Sequence, residues 1–281
     1  MKKTVSIIGL GKMGYPIARN LISNGYIVYS NNYKKVKYKN HIKFLDSKKE
    51  IFEKSDVMFL CLSNSKQIKK FLFEKNNLSN LKKKPKFIID LGTSDPQATK
   101  KIYKKLSKLK IRYIDSPMGR NPEAASKGKL NLMMGCRKSD IKSIRYLLFT
   151  IAENIFFMNK IGDGHKIKLI NNYYGQSITI LFLEILKILK INKMKAKNFI
   201  KVIEAGPLYS QILSSIFKLN YKKDKSQIVF SITNAYKDLL YFKKFFSKNL
   251  ETNILNEVLK ILALKVKNKK GFLSVGNSIK L

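Results

Sequence analysis

The sequence has no tryptophan, five arginines, two histidines and two cysteines among 281 residues, and each scarcity closes off a class of protein. Cys61 and Cys136 stand alone in apolar or glycine-rich surroundings. No disulfide framework can hold the fold, and a reducing cytoplasm is the expected setting. No stretch approaches the roughly 18 uninterrupted apolar residues of a transmembrane helix, so no membrane partner is expected. The opening MKKTVSIIGLGKMG sets lysines before an apolar run, as a signal peptide does. That run is about six residues, short of the roughly 7–15 of a signal core, and it leads into glycines. It reads as a first β-strand. No internal repeat and no disordered tract is evident, and no metal site is expected.

Acidic residues are also few, 18 against 57 lysines and arginines, which leaves a net charge of +39. Such an excess invites a nucleic-acid partner. The lysines, however, are scattered over the whole chain, with only short clusters such as Lys82-Lys83-Lys84. Lys, Asn, Ile, Tyr and Phe are enriched together while Trp is absent and Arg rare, the pattern that A+T-rich coding DNA produces. A nucleic-acid footprint needs clustering, so specific nucleic-acid binding is not expected. The charge can still steer anionic substrates and cofactors.

What is present has a clear order. Up to about residue 160, short β-rich runs alternate with helix-patterned stretches: TVSIIGL (4–10), YIVYS (26–30), DVMFLCL (56–62), KFIIDL (86–91), IRYID (111–115), LNLMMG (130–135) and NIFFM (154–158). Strand–helix alternation predicts a parallel, doubly wound α/β sheet. After Gly162 helical patterns take over, at 165–190, 194–204, 208–218, 227–247 and 252–267, the last with Thr252 or Asn253 as N-cap. The first carries Ile167, Ile170, Tyr174, Ile178, Leu181 and Ile185 at three- and four-residue steps, an apolar face. The expectation is an α/β domain over 1–162 and an all-α domain over 163–281, joined by a long helix.

GLGKMG places Gly9, Gly11 and Gly14 after the first strand and before the helix MGYPIARNLISNG, the setting a dinucleotide-binding turn requires. One glycine permits the turn, one lets the backbone approach a pyrophosphate, and one lets the helix pack on the strand. The helix start then offers N–H groups and a positive dipole end to phosphate. An NAD site places an acid at the end of the second strand, on the ribose 2′-hydroxyl. Here the chain reads VYSNNYKK, without an acid. Asn31 or Asn32 can hydrogen-bond a ribose, and Lys34 and Lys35 can pair with a 2′-phosphate, so NADP is expected ahead of NAD.

Five segments in order resemble the β-hydroxyacid dehydrogenase family, the group of 3-hydroxyisobutyrate dehydrogenase and tartronate semialdehyde reductase. GLGKMGYPIARNL (9–21) resembles its opening G-L-G-x-M-G-x-x-x-A-x-N-L, and DLGTSDP (90–96) its D-x-S-T-x-x-P. DSPMGRNPEAASKGKL (115–130) resembles its substrate loop, GDGHKIKLINN (162–172) its G-x-G-x-x-x-K-x-x-x-N, and AYKDLLYF (235–242) a late K-D-L motif. The resemblance implies a Rossmann-type domain followed by a helical domain like the C-terminal domain of 6-phosphogluconate dehydrogenase. It implies a homodimer or homotetramer, supported by the long helix. Its cofactor residues fall on Gly9, Leu10, Gly11, Lys12, Met13, Gly14, Asn32, Lys34, Leu62, Thr93 and Lys237. Its substrate loop falls on Gly119, Arg120 and Asn121, where the family has a serine and two glycines. Gly92 replaces a further serine. Arg120 has two readings: a fork on a substrate carboxylate, or a tie to a neighbouring carbonyl.

The same resemblance places Lys168 at the catalytic lysine, with Asn172 as a substrate residue. Residues 168 and 172 are i and i+4, so they share a helix face. Lys166 lies about 200° around the helix from Lys168. The helix is expected to start at the domain junction, where ligand clefts favour sites, with Asp163 complementing its first turn. A desolvated lysine can take and return the proton of an alcohol near neutrality. His165 is expected at the surface of that turn. The implied reaction interconverts a short hydroxy acid and its semialdehyde or keto acid by hydride transfer, on a small substrate bearing a carboxylate. Two alternatives keep the fold: a basic nucleic-acid-binding or scaffolding module, and an imine reductase, in which the lysine is typically replaced. Retention of Lys168 argues against both.

Overall fold

A computed structural model describes residues 4–31, 41–74, 78–224, 228–246 and 252–279. The chain forms two compact units, Met1–Lys168 and Leu169–Leu281.

The first unit opens with β1 (Thr4–Ile8), α1 (Gly14–Ser23), β2 (Ile27–Asn31), β3 (Lys43–Leu45), α2 (Lys48–Lys54), β4 (Val57–Leu60) and α3 (Ser65–Phe73). It continues through β5 (Phe87–Asp90), α4 (Pro96–Lys108) and β6 (Arg112–Asp115). These six strands form one sheet in the order β3-β2-β1-β4-β5-β6, parallel throughout. That is the order of a doubly wound dinucleotide-binding sheet. Side chains alternate across it with the period of two that a strand imposes. Ile7, Phe59 and Ile89 enter one core with Ile17, Leu21 and Leu147, while Ile8, Met58, Leu60 and Ile88 enter the other with Ile51, Ile68 and Ile102. Both faces are covered, which is why the central strands read as unbroken apolar runs.

The predicted single sheet needs one correction. The runs at 130–135 and 154–158 form β8 (Leu130–Met134) and β9 (Ala152–Phe157), which belong to a separate three-stranded sheet with the short β7 (Met118–Gly119). β7 and β8 are antiparallel, and the helices α5 (Pro122–Ser126) and α6 (Lys138–Phe149) flank β8 in sequence. A lone bridge between Asp115 and Gly135 stitches the small sheet to the end of β6.

The helix α7 (Asp163–Ile191) follows, 29 residues and about 44 Å at 1.5 Å each. Its first residues close the first unit and the rest belong to the second. There α8 (Ala196–Glu204) and α9 (Gln211–Tyr221) pack with α7 around Phe182, Leu183, Leu186, Ile200 and Ile216. α10 (Ile232–Phe246) and α11 (Asn253–Lys267) close around Ile180, Leu239, Leu255, Val258 and Leu262. Thr252 is the N-cap of α11, though its side chain makes no capping bond. Of the apolar face picked out by spacing on α7, Ile167, Ile170, Tyr174 and Leu181 are open while Ile178 and Ile185 are half-buried; Ile188 and Ile191 are open as well. The core is reached instead by Leu169, Ile180, Leu183 and Leu186. Among the described residues, no helix is long and apolar enough to cross a membrane, and no group of side chains has the makings of a metal site.

Candidate active site

The turn between β1 and α1 is built by exclusion. Gly9 sits at φ +99°, and a Cβ there would overlap the backbone carbonyl of Cys61 at the end of β4. A Cβ on Gly14 would overlap the carbonyl oxygen of Gly9. Gly11 is different: nothing lies within 4 Å of its Cβ position. α1 therefore begins flush against the turn while the middle glycine faces open space. Met13, its N-cap, supplies no side-chain acceptor, and the first turn holds no acid. A positive helix end and a vacant Cβ position suit an anionic group such as a pyrophosphate. Lys12 is exposed and Leu10 and Met13 are half-buried around this turn.

Neighbouring strand ends bring further predicted residues to the same edge of the sheet. The Leu62 side chain lies 3.3 Å from the Cβ position of Gly9, and its carbonyl closes over Gly92, the residue before Thr93. Thr93 is half-buried. Asn31 ends β2, and Asn32, Lys34 and Lys35 lie outside the described residues. Cys61 is half-buried beside the glycines, and Cys136 is buried; burial pushes both thiols up to about 12.

The loop 119–121 turns at Arg120, at φ +72°. Arg120 ties the loop to a neighbouring carbonyl. Its Nη1 donates to the carbonyl of Lys129 at 2.8 Å and pairs with Glu153 at 2.5 Å. Asn121 caps α5, its Oδ1 accepting from the Ala124 amide at 2.9 Å, and Gly119 is buried in β7 against Asn131.

The start of α7 is held by residues that the sequence did not single out. Asp115, at the end of β6, accepts from the amides of Gly162 at 2.7 Å and His165 at 3.0 Å, so a carboxylate from another element caps this helix. His165 was expected at the surface; it is fully buried. Its polar turn faces inward, where two buried carboxyl groups from β5 and β6 stand beside the ring. His165 Nε2 lies 3.5 Å from Asp90 and its Nδ1 3.8 Å from Asp115. Asp90 also accepts from Tyr113 Oη, Ser94 Oγ and the Gly92 amide. Burial lifts the Asp115 carboxyl above the usual range, against the pull of His165 and the two amides, and burial with Asp90 lifts Tyr113 well above its own. Asp163 pairs with Lys166 at 2.6 Å. Lys168, one turn beyond His165, is half-buried.

Asn172 is buried in the second unit and donates from Nδ2 to Asp238 Oδ2 at 2.7 Å. Asp238 Oδ1 pairs with Lys237 Nζ at 2.9 Å, and that ammonium lies 5.5 Å from the centre of the Tyr241 ring. Asp238 is 1% exposed and went unnoticed in the sequence, although it sits in the K-D-L motif.

Residues 4–159 match the NAD-binding domain of 6-phosphogluconate dehydrogenase. Rat mitochondrial 3-hydroxyisobutyrate dehydrogenase is 29% identical over 176 residues, 61% of this chain and 52% of that protein. The 2-hydroxy-3-oxopropionate reductase of Escherichia coli is 26% identical over 170 residues, 59% of this chain and 58% of the reductase. The chain thus spans little more than half the length of these curated relatives. Among solved structures, 3-hydroxyisobutyrate dehydrogenase of Mycobacterium tuberculosis with L-serine has the same fold, at a TM-score of 0.87 and 18% identity, covering 99% of this chain and 98% of that one. With its glycine turn, doubly wound sheet and helical second unit, the chain belongs to the β-hydroxyacid dehydrogenase family, and its first unit is an NAD-binding domain of the 6-phosphogluconate dehydrogenase type.

Proposed function

We propose that the protein is a nicotinamide-dependent oxidoreductase that interconverts a short hydroxy acid and its semialdehyde or keto acid. The observation that carries this reading is the pairing of Lys168 and Asn172 one turn apart on α7, with the Asn172 amide fixed by the buried Asp238. Because Nδ2 is committed to a carboxylate, Oδ1 is the atom left to accept from an ammonium or a substrate hydroxyl.

A nicotinamide held there would supply or accept the hydride. The chain's own residues do the rest. The Gly9–Gly14 turn and the start of α1 would hold its pyrophosphate, with Leu10, Lys12, Met13, Leu62 and Thr93 nearby in the first unit. The Lys168 ammonium gives a proton to the carbonyl oxygen during reduction, and its amine takes that proton back during oxidation. Asn172 holds the substrate oxygen in register. The substrate carboxylate docks on the backbone of residues 119–121, and Arg120, tied to Glu153, shapes this loop. The relatives' names point to 3-hydroxyisobutyrate, 2-hydroxy-3-oxopropionate and L-serine as first compounds to try. The exposed apolar face of α7 suits a homodimer or homotetramer, and the two free cysteines suit a reducing cytoplasm.

The acid-free segment after β2 favours NADP. The test is a panel of short hydroxy acids with NADP+ and NAD+, read at the nicotinamide absorbance band, alongside titrations of both reduced cofactors. NADPH should bind more tightly than NADH, and replacing Lys34 and Lys35 with alanine should narrow the gap. No turnover of any hydroxy acid in the panel would sink the activity. Equal affinities would sink the cofactor choice alone.

A further inference from the structure

His165 has no part in the proton transfer just described, yet it is the most completely enclosed ionisable group of α7's first turn. Its ring touches three elements of the first unit. Nε2 faces the carbonyl oxygen of Gly92 at 3.2 Å, and a carbonyl only accepts, so Nε2 carries a proton. Nδ1 faces the Thr99 hydroxyl of α4 at 2.8 Å. That hydroxyl also lies 3.2 Å from the Asp95 carbonyl one turn back. A carboxyl group stands beside each ring nitrogen, Asp90 3.5 Å from Nε2 and Asp115 3.8 Å from Nδ1.

What the ring joins is informative. On one side is the turn whose amides Asp115 holds and which ends in Lys168. On the other is Gly92, the neighbour of Thr93 in the loop we place by the nicotinamide. The ring is a strut between the proton donor and that loop. We propose that His165, bridging the Gly92 carbonyl and the Thr99 hydroxyl from the first turn of α7, is a positioning residue that fixes Lys168 relative to the Gly92–Thr93 loop. This rests on the reading of Lys168 given above, and the tests separate the two.

The first test needs no substrate. The chain has two histidines, His41 and His165, so a histidine-labelled sample gives a ring-nitrogen spectrum with two residues in it. His165 Nε2 should show the shift of a ring nitrogen that carries a hydrogen; an Nε2 without one would overturn its bond to the Gly92 carbonyl and the strut with it.

The second test uses 3-hydroxyisobutyrate and NADP+ with H165Q, H165N and H165L, each shown by its melting transition to be folded at the assay temperature. Glutamine keeps a donor where Nε2 stands, and asparagine keeps only a polar group where Nδ1 stands. Turnover should therefore fall in the order wild type, Gln, Asn, Leu, with H165L down about 10- to 100-fold in kcat and KM for NADP+ little changed. H165L should add nothing to K168A, because the strut acts through that lysine. A Leu variant as active as Gln makes the residue a space filler and overturns the inference. So does H165L slowing K168A by the same factor as wild type, while Lys168 keeps its role. A fully active K168A removes the role of Lys168 and the strut with it.

Discussion

One methyl group, added in turn at each glycine of the first turn, should separate fold from function. At Gly9 the added Cβ meets the Cys61 carbonyl, and the residue sits at φ +99°. Backbone strain there costs about 1–3 kcal/mol, and an overlap with main chain that no rotamer can relieve adds about 1–3 kcal/mol. At Gly14 the methyl meets the Gly9 carbonyl without the strain, for about 1–3 kcal/mol. At Gly11 it meets nothing, so stability should change by less than about 0.5 kcal/mol. Yet Gly11→Ala fills the space where the pyrophosphate would lie, and NADPH affinity should fall about tenfold or more, a loss of about 1.4 kcal/mol. Urea denaturation of the cofactor-free variants gives the first quantity. Titration of NADPH fluorescence, in a protein with no tryptophan, gives the second. If Gly11→Ala unfolds as readily as Gly14→Ala, or binds NADPH as wild type does, the turn is not a phosphate cradle.

Two further outcomes follow from other parts of the molecule. Leu181→Glu or Ile188→Glu, on the exposed face of α7, should leave the fold intact and yield monomer by light scattering, whereas Lys187→Glu beside them should not; an unchanged mass in the first two places the interface elsewhere. Asp56 pins the first strand, accepting from the Thr4 amide and hydroxyl and pairing with Lys83 at 2.9 Å. Burial pushes its carboxyl up, but the bonds from Lys83 and Thr4 outweigh this and hold it below the usual value. A depressed folded value means stability that is present above the unfolded pKa of about 4 and lost as pH falls through the folded one. The melting gap between wild type and Asp56→Asn should therefore close in acid and be full at neutrality; a gap independent of pH refutes the ionic role.

Where a residue's chemistry is local, the sequence was legible. The five longer strands of the main sheet and all five late helices stand where periodicity placed them, because each buries enough apolar surface to leave a pattern. β3 and β7, of three and two residues, are too short to leave one. That β8 and β9 form a sheet of their own, joined to the main one by the Asp115–Gly135 bridge, depends on contacts between residues apart in sequence. On α7 the spacing found an apolar face correctly but could not say whether this chain or another covers it. His165 was misplaced for a related reason: a polar residue in a first turn looks exposed until Asp90 and Asp115 arrive from β5 and β6. Asp115 and Asp238 lay in motifs quoted for their neighbours, and their partners, Gly162 and Asn172, are 47 and 66 residues away.

The most direct test of the proposed activity compares two lysines two positions apart. Lys168→Ala should keep the melting profile and the affinity for NADPH while turnover of the best hydroxy acid falls by roughly 10²–10⁴-fold, the loss expected for a general acid/base. Lys166→Ala, which loses a pair with Asp163 elsewhere on the helix, should change turnover little. Steady-state kcat for both variants on one substrate decides it. Equal losses contradict the placement of Lys168 on the catalytic face, and full activity of Lys168→Ala contradicts its role in proton transfer.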